Sequence, residues 1–205
     1  MGQGGGHNLE VASIHRNRSE ILADFLRDFP NLANADWCVK SPLDDSYQCI
    51  AWAECRTDRI SWPSHHGAVW PQGLPLADPP QEAPVDYFVQ RFSLLGYRTC
   101  GLNDQFEFGY QKVAIYANDM GVTHMARQHF FGRGWLSKAG DWEDILHREL
   151  SDVEGDMSPL ARKYGRVQLI LKRNWWSALV RLSLFRCLWN AFRFLVYRLR
   201  HRYAL

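Results

Sequence analysis

Three short segments, Lys112–Tyr116, Val122–Gln128 and Gly134–Lys138, constrain the fold of this chain most. Each is apolar or alternating, and the turn-forming runs Asn118–Gly121 and Gly132–Gly134 separate them. Strands joined by turns this short pair with their sequence neighbours in antiparallel fashion, so the spacing predicts a meander. A fourth strand is predicted over Arg166–Leu171. Ahead of the meander, Ile14, Ile21, Leu22, Phe25, Leu26 and Phe29 recur at three- and four-residue spacing, which predicts an amphipathic helix over Ser13–Phe29 stopped by Pro30. A short helix is expected over Gln48–Arg56, capped by Asp44-Asp45-Ser46 and burying Trp52, and another over Val85–Leu95, ended by Gly96. Between these two, Thr57–Pro84 holds six prolines together with Trp62 and Trp70, the pattern of a long ordered loop pinned by aromatics. Helices followed by an antiparallel sheet make an α+β layout.

With 205 residues, 46% of them hydrophobic, the chain has material for one core with appendages. The expected division is a flexible N-terminus over 1–12, an α+β domain over 13–171 and a basic amphipathic helix over 172–205. The net charge of +2 conceals an asymmetry, because all 22 acidic residues precede Leu171 while residues 172–205 carry eight basic ones. Basic charge confined to one terminal segment argues against nucleic acid as the partner. Five cysteines, an odd number, with no apolar signal region after Met1, predict reduced thiols and a cytoplasmic location without a signal peptide.

Cys49 falls at the start of a predicted helix, where free N–H groups favour a thiolate. His124 lies in the second strand, where alternation sets it on one face with Val122 and Ala126, and an imidazole held facing a helix start is a good acceptor for a thiol proton. The group orienting the ring is Ser137, Asp141 or Asp144, of which Asp141 is nearest by register. The Cys49 N–H and the Gln48 side chain are candidates for an oxyanion hole.

The words Tyr47-Gln-Cys-Ile-Ala-Trp-Ala53, Lys112-Val-Ala-Ile-Tyr116, Thr123-His-Met-Ala-Arg-Gln128 and Trp135-Leu-Ser-Lys-Ala-Gly140, with Trp62-Pro and Trp70-Pro, resemble an uncharacterised, mainly bacterial domain family. That family's pattern reads Cys-Ile-Ala-Trp-Ala, Thr-His-Ala-Ala-Arg-Gln and Trp-x-Ser-Lys-x-Gly, then Asp-Ile-x-His, and the likeness spans roughly residues 20–171. The order of Cys, then His on a strand, then a polar residue on the next strand is also similar to the papain-like superfamily, which includes bacterial cell-wall amidases and effector deamidases. The resemblance implies a papain-like fold with Cys49 as nucleophile and His124 as base. Arg127, Gln128, Ser137, Lys138, Asp144 and His147 fall on the family's motif. The chain departs from it at Gln48, where Asn is expected, and at Met125, where Ala is.

The leading expectation is therefore a papain-like cysteine hydrolase or transferase acting on an amide, isopeptide or related acyl bond of a protein or peptide-like substrate. Arg127, Gln128, Lys138, Trp62 and Trp70 are its candidate substrate contacts. Neither a cofactor nor a metal is implied, since no paired Cys-x-x-Cys or His-x-x-x-His spacing exists. The competing expectation is a non-catalytic interaction or adaptor domain in which Cys49 and His124 merely pack. Its partner would be an anionic membrane surface or a protein, met through residues 174–205, where arginines interrupt a long apolar stretch too often for a membrane span and leave one wide apolar face.

Overall fold

The structure, a computed structural model, describes residues 17–64, 68–155 and 164–175. A seven-stranded antiparallel sheet divides the domain into two cores, confirming the α+β layout. The strands are β1 (Trp37–Val39), β2 (Arg98–Thr99), β3 (Tyr110–Asn118), β4 (Gly121–Gln128), β5 (Trp135–Lys138), β6 (Asp144–His147) and β7 (Arg166–Asn174), arranged in the order β1-β6-β5-β4-β3-β7-β2. The predicted meander is β3-β4-β5, extended by β6. It pairs Ile115 with Met125, Tyr116 with His124 and Ala126 with Ser137.

Alternation along β3 assigns the two cores. Val113, Ile115 and Ala117 face α2 (Cys49–Ala53) and α3 (Val85–Ser93), in a core that also holds Cys49, Ile50, Phe88, Phe92, Val122 and Met125. Ala114 and Tyr116 face the other way, towards Phe25 and Phe29 of α1 (Arg18–Asp28) and its C-cap, with Leu32, Ala126, Trp135, Ile145 and Ile170. Because both faces of β3 and β4 are covered, these strands are buried along nearly their whole length.

Local chemistry explains the helix ends. Asn17 caps α1 in a reciprocal capping box with Glu20, so the helix begins at Arg18 and stops before Pro30. The predicted start at Ser13 lies outside the described residues. Helix α2 is shorter than expected and is not capped by the acidic cluster: its N-cap is Gln48, which makes no side-chain cap. Asp44 instead closes a turn on itself, accepting from the N–H and hydroxyl of Ser46.

The long loop is pinned by aromatics, as expected. Trp62 and Trp70 both pack edge-on against Phe88, and their indole N–H groups donate to the carbonyls of Pro80 and Pro75. At the far end β7 runs past Leu171, so Lys172 and Arg173 belong to the sheet rather than to a C-terminal helix. Lys172 pairs with Glu107, and buried Arg173 binds Gln111 and covers the Tyr97 ring. The expected basic helix otherwise lies outside the described residues. Among the described residues no helix is long and apolar enough to cross a membrane. Cys38, Cys49 and Cys100 are free thiols, but Cys55 is in a disulfide, which corrects the expectation that every cysteine is reduced.

Candidate functional site

Cys49 opens α2, and α2 lies on β4 and β5. Its side chain packs among Ile50, Phe88 and Met125 and keeps only 7% of its surface accessible. Burial pushes the thiol up to about 11, although the N–H groups of Met125, Ile50 and Cys49 itself and the charge of Lys138 pull it down. Two features work against a thiolate. The helix has only five residues, so few peptide dipoles add at its N-terminus, and desolvation of the anion outweighs the few donors present.

His124 lies on the opposite face of the sheet. It pairs with Tyr116 across the β3–β4 ladder, stacks on the Tyr164 ring at 3.9 Å and packs near the Tyr116 ring. Met125, its neighbour in sequence, is the residue that meets Cys49. The expected shared face with Val122 does not form either, because the register slips between Tyr116 and Ala117: Tyr116 opposes His124 while Ala117 opposes Val122. Thr123 is the extra residue of this bulge, and it turns Val122 into the Cys49 core while His124 keeps company with Ala126. The structure thus does not bring the expected nucleophile and base together.

His124 does meet one expected partner. Its Nε2 is 3.0 Å from Ser137 Oγ, which is in turn 2.9 Å from His147 Nε2, while His147 Nδ1 is 2.7 Å from the Glu149 carbonyl. A carbonyl only accepts, so His147 carries its proton on Nδ1 and accepts from the Ser137 hydroxyl, and Ser137 accepts from His124 Nε2–H. His124 Nδ1 is then a bare acceptor, in keeping with its being buried without a hydrogen-bond partner. Both rings are held neutral at neutral pH: burial lowers His147 to about 4, and burial, with repulsion from His147 once that ring is protonated, takes His124 well below its ordinary value. Asp141 is exposed in the turn after β5 and takes no part in this chain.

On the Cys49 face a second polar group gathers. The Tyr47 hydroxyl donates to Asp144 Oδ2 at 2.7 Å, and Lys138 lies over the Tyr47 ring and donates to the Trp142 carbonyl. Arg127 donates to the Trp52 carbonyl at 3.1 Å and covers the Trp52 ring at 4.1 Å. Burial raises the Asp144 carboxyl to about 6, against the hydrogen bond from Tyr47 and the charges of Lys138 and Arg127, and lowers Arg127 to about 10. Burial likewise lowers Lys138. Asp144, weighed only as an orienter of His124, is therefore a partner of Lys138 and Tyr47 instead, and Tyr47 went unnoticed as a polar contributor. Nothing in the sequence beside the predicted helix start marks its hydroxyl as a partner, and only the pairing of Lys138 with Asp144 across β5 and β6 reveals the group.

The other expected substrate contacts are occupied internally. Gln128 Nε2 donates to the Asp104 carbonyl, and Trp62 and Trp70 hold the long loop. Among the described residues no cluster of three or more His, Cys, Asp or Glu is arranged to hold a metal ion.

A family model described as a domain of unknown function, DUF7689, matches residues 38–172, well over half of the chain. No curated protein and no solved structure matches.

Proposed function

The chain belongs to the DUF7689 family, and from the geometry of its domain we propose that it is a non-catalytic interaction domain, carried to an anionic surface by its basic C-terminal segment. One observation carries this reading: Cys49 and His124 occupy opposite faces of the same sheet, each inside its own core. A thiol pushed up to about 11 that does not meet the His124 imidazole lacks the proton acceptor expected for it. His147 is satisfied at both ring nitrogens by Ser137 and the Glu149 carbonyl, and His124 Nε2 by Ser137, so the hydroxyl and the two rings serve each other inside the core. Residues 176–205, with six arginines and no acidic residue among apolar and aromatic ones, supply the chemistry for attachment.

The test uses the full chain. Arg181→Glu, Arg186→Glu and Arg193→Glu together should abolish co-sedimentation with phosphatidylglycerol vesicles, while Cys49→Ala should leave it unchanged. Equal sedimentation of the charge-reversed chain and the wild type removes the reading.

A second reading keeps the papain-like thiol hydrolase or transferase and rebuilds its site on the α2 face. Its support is the gathering of Lys138, Asp144, Tyr47 and Arg127 near Cys49, since buried ionisable groups with displaced pKa values concentrate at functional sites. In that reading Lys138 and Asp144 replace His124 in handling the thiol proton. Labelling of native Cys49 by a peptide vinyl sulfone, lost in Lys138→Met, would favour it over the interaction reading.

A further inference from the structure

We propose that the domain itself presents a lipid-docking surface, formed by Phe106, Phe108, Phe130, Phe131 and Trp175 with Arg133 at its margin. This rests on the interaction reading and assigns that interface its second half. Two loops meet there. Phe130 stacks on Trp175 with ring centroids 4.4 Å apart, Phe108 packs edge-on against the same indole at 5.3 Å, and Phe131 lies edge-on to Phe130. The Phe106 ring closes on the turn so tightly that a Cβ on Gly132 would stand 2.6 Å from it.

Phe108 and Phe131 are 84% and 71% accessible and Phe106 is exposed as well, while Phe130 and Trp175 behind them are half-buried. An aromatic cluster that no core covers marks an interaction site. The loop bearing Phe106 and Phe108 is anchored from beneath. Lys112, fully buried, binds the carbonyls of Asn103 and Gln105 and the Glu107 carboxylate, and Lys172 binds the other Glu107 oxygen. That pairing also neutralises the acidic group nearest the cluster and holds its carboxyl below the usual range.

The occupant follows from where the chain leads. Trp175 donates its backbone N–H to the Gly109 carbonyl, so the polypeptide leaves the sheet at the cluster. It continues directly into residues 176–205, with their six arginines, no acidic residue and many apolar side chains. Phenylalanine and tryptophan beside arginine, continuous with a basic apolar segment, match the boundary between headgroups and acyl chains of an anionic bilayer. A second copy of the chain, bearing the same basic segment, would instead bring like charges together.

The test compares full-length wild type with Phe108→Ser/Phe131→Ser on phosphatidylcholine vesicles with and without phosphatidylglycerol, with sedimentation velocity in parallel. The expected result is tight binding of the wild type to the anionic vesicles and binding of the double variant weaker by about tenfold per ring lost. Melting temperature should be unchanged and both proteins monomeric, and Phe131→Trp should retain binding. If both proteins bind equally, the docking surface is wrong while attachment by the C-terminal segment stands. A wild type that binds no vesicle sinks both. A wild type that self-associates through these rings, with the association lost in the variant, replaces the lipid surface by a second copy.

Discussion

Replacing Ser137 with alanine removes the hydroxyl that links His124 to His147 and asks the most of the structure. Two hydrogen bonds vanish, at 3.0 and 2.9 Å, and two buried groups are stranded: the Nε2–H donor of His124 and the Nε2 acceptor of His147. Both residues are fully buried, so no bulk water replaces the lost partner. His124 Nδ1 is already without a partner, which would leave that ring with none at all. An unsatisfied buried group costs about 1–3 kcal/mol, so the two together should cost about 3 kcal/mol. For a chain of this size that corresponds to a melting temperature lower by about 6–12 °C. Urea denaturation followed by tryptophan fluorescence and a thermal melt measure it, with an unchanged m-value expected. A loss below about 1 kcal/mol would refute the argument, because Ser137 would then not be the sole bridge between the two rings.

Other expected outcomes follow from the same cores. Cys49→Ser should destabilise by about 1 kcal/mol or more, through placing a hydroxyl in an apolar setting; a gain in stability would contradict the packing role. His147 is held at about 4 in the fold against 6.5 when free, so between these values the unfolded chain binds more protons and stability falls as pH drops from 6.5 towards 4. Asp144 acts in the opposite sense: its carboxyl is up at about 6 against 3.8, the native state binds more protons between them, and acidification favours the fold through that window. Asp144→Asn removes this offset, so urea midpoints measured at about pH 7 and about pH 5 should separate more widely in the variant than in the wild type; a narrower separation would refute the sign. Gly134→Ala should cost about 2 kcal/mol or more by the same denaturation, because its φ is +116° and an added Cβ would lie 2.3 Å from the His147 carbonyl oxygen.

The central strands were legible because their chemistry matches their period. β3, β4, β5 and β7 all show as apolar or alternating runs between turn residues, and α1 as a three- and four-residue recurrence. β6 was not, because Asp144 and His147 are buried polar residues that interrupt any apolar pattern, and β1 and β2 are too short to display a period. For the site, Cys49 at a helix start was readable, whereas the partner of His124 was not singled out: register favours Asp141 over Ser137 and Asp144, and the structure gives Ser137. What no pattern within β4 reveals is which face meets α2, since both faces are buried and each mixes apolar with polar residues, and a one-residue bulge at Thr123 moves Val122 away from His124. A single register slip decides whether a histidine sees a cysteine or a serine.

The separation of Cys49 from His124 can be measured without knowing any partner or substrate. Cys49 alkylation by iodoacetamide is followed against pH by peptide mass spectrometry, in the wild type and in His124→Ala. The account predicts slow modification of the native thiol, rising only towards the pH of about 11 to which burial pushes it, with a titration unchanged by His124→Ala. A thiolate titrating well below the free value of about 8.5, and moving up when the imidazole is removed, would mean that the two side chains meet and that the chain is a cysteine enzyme after all.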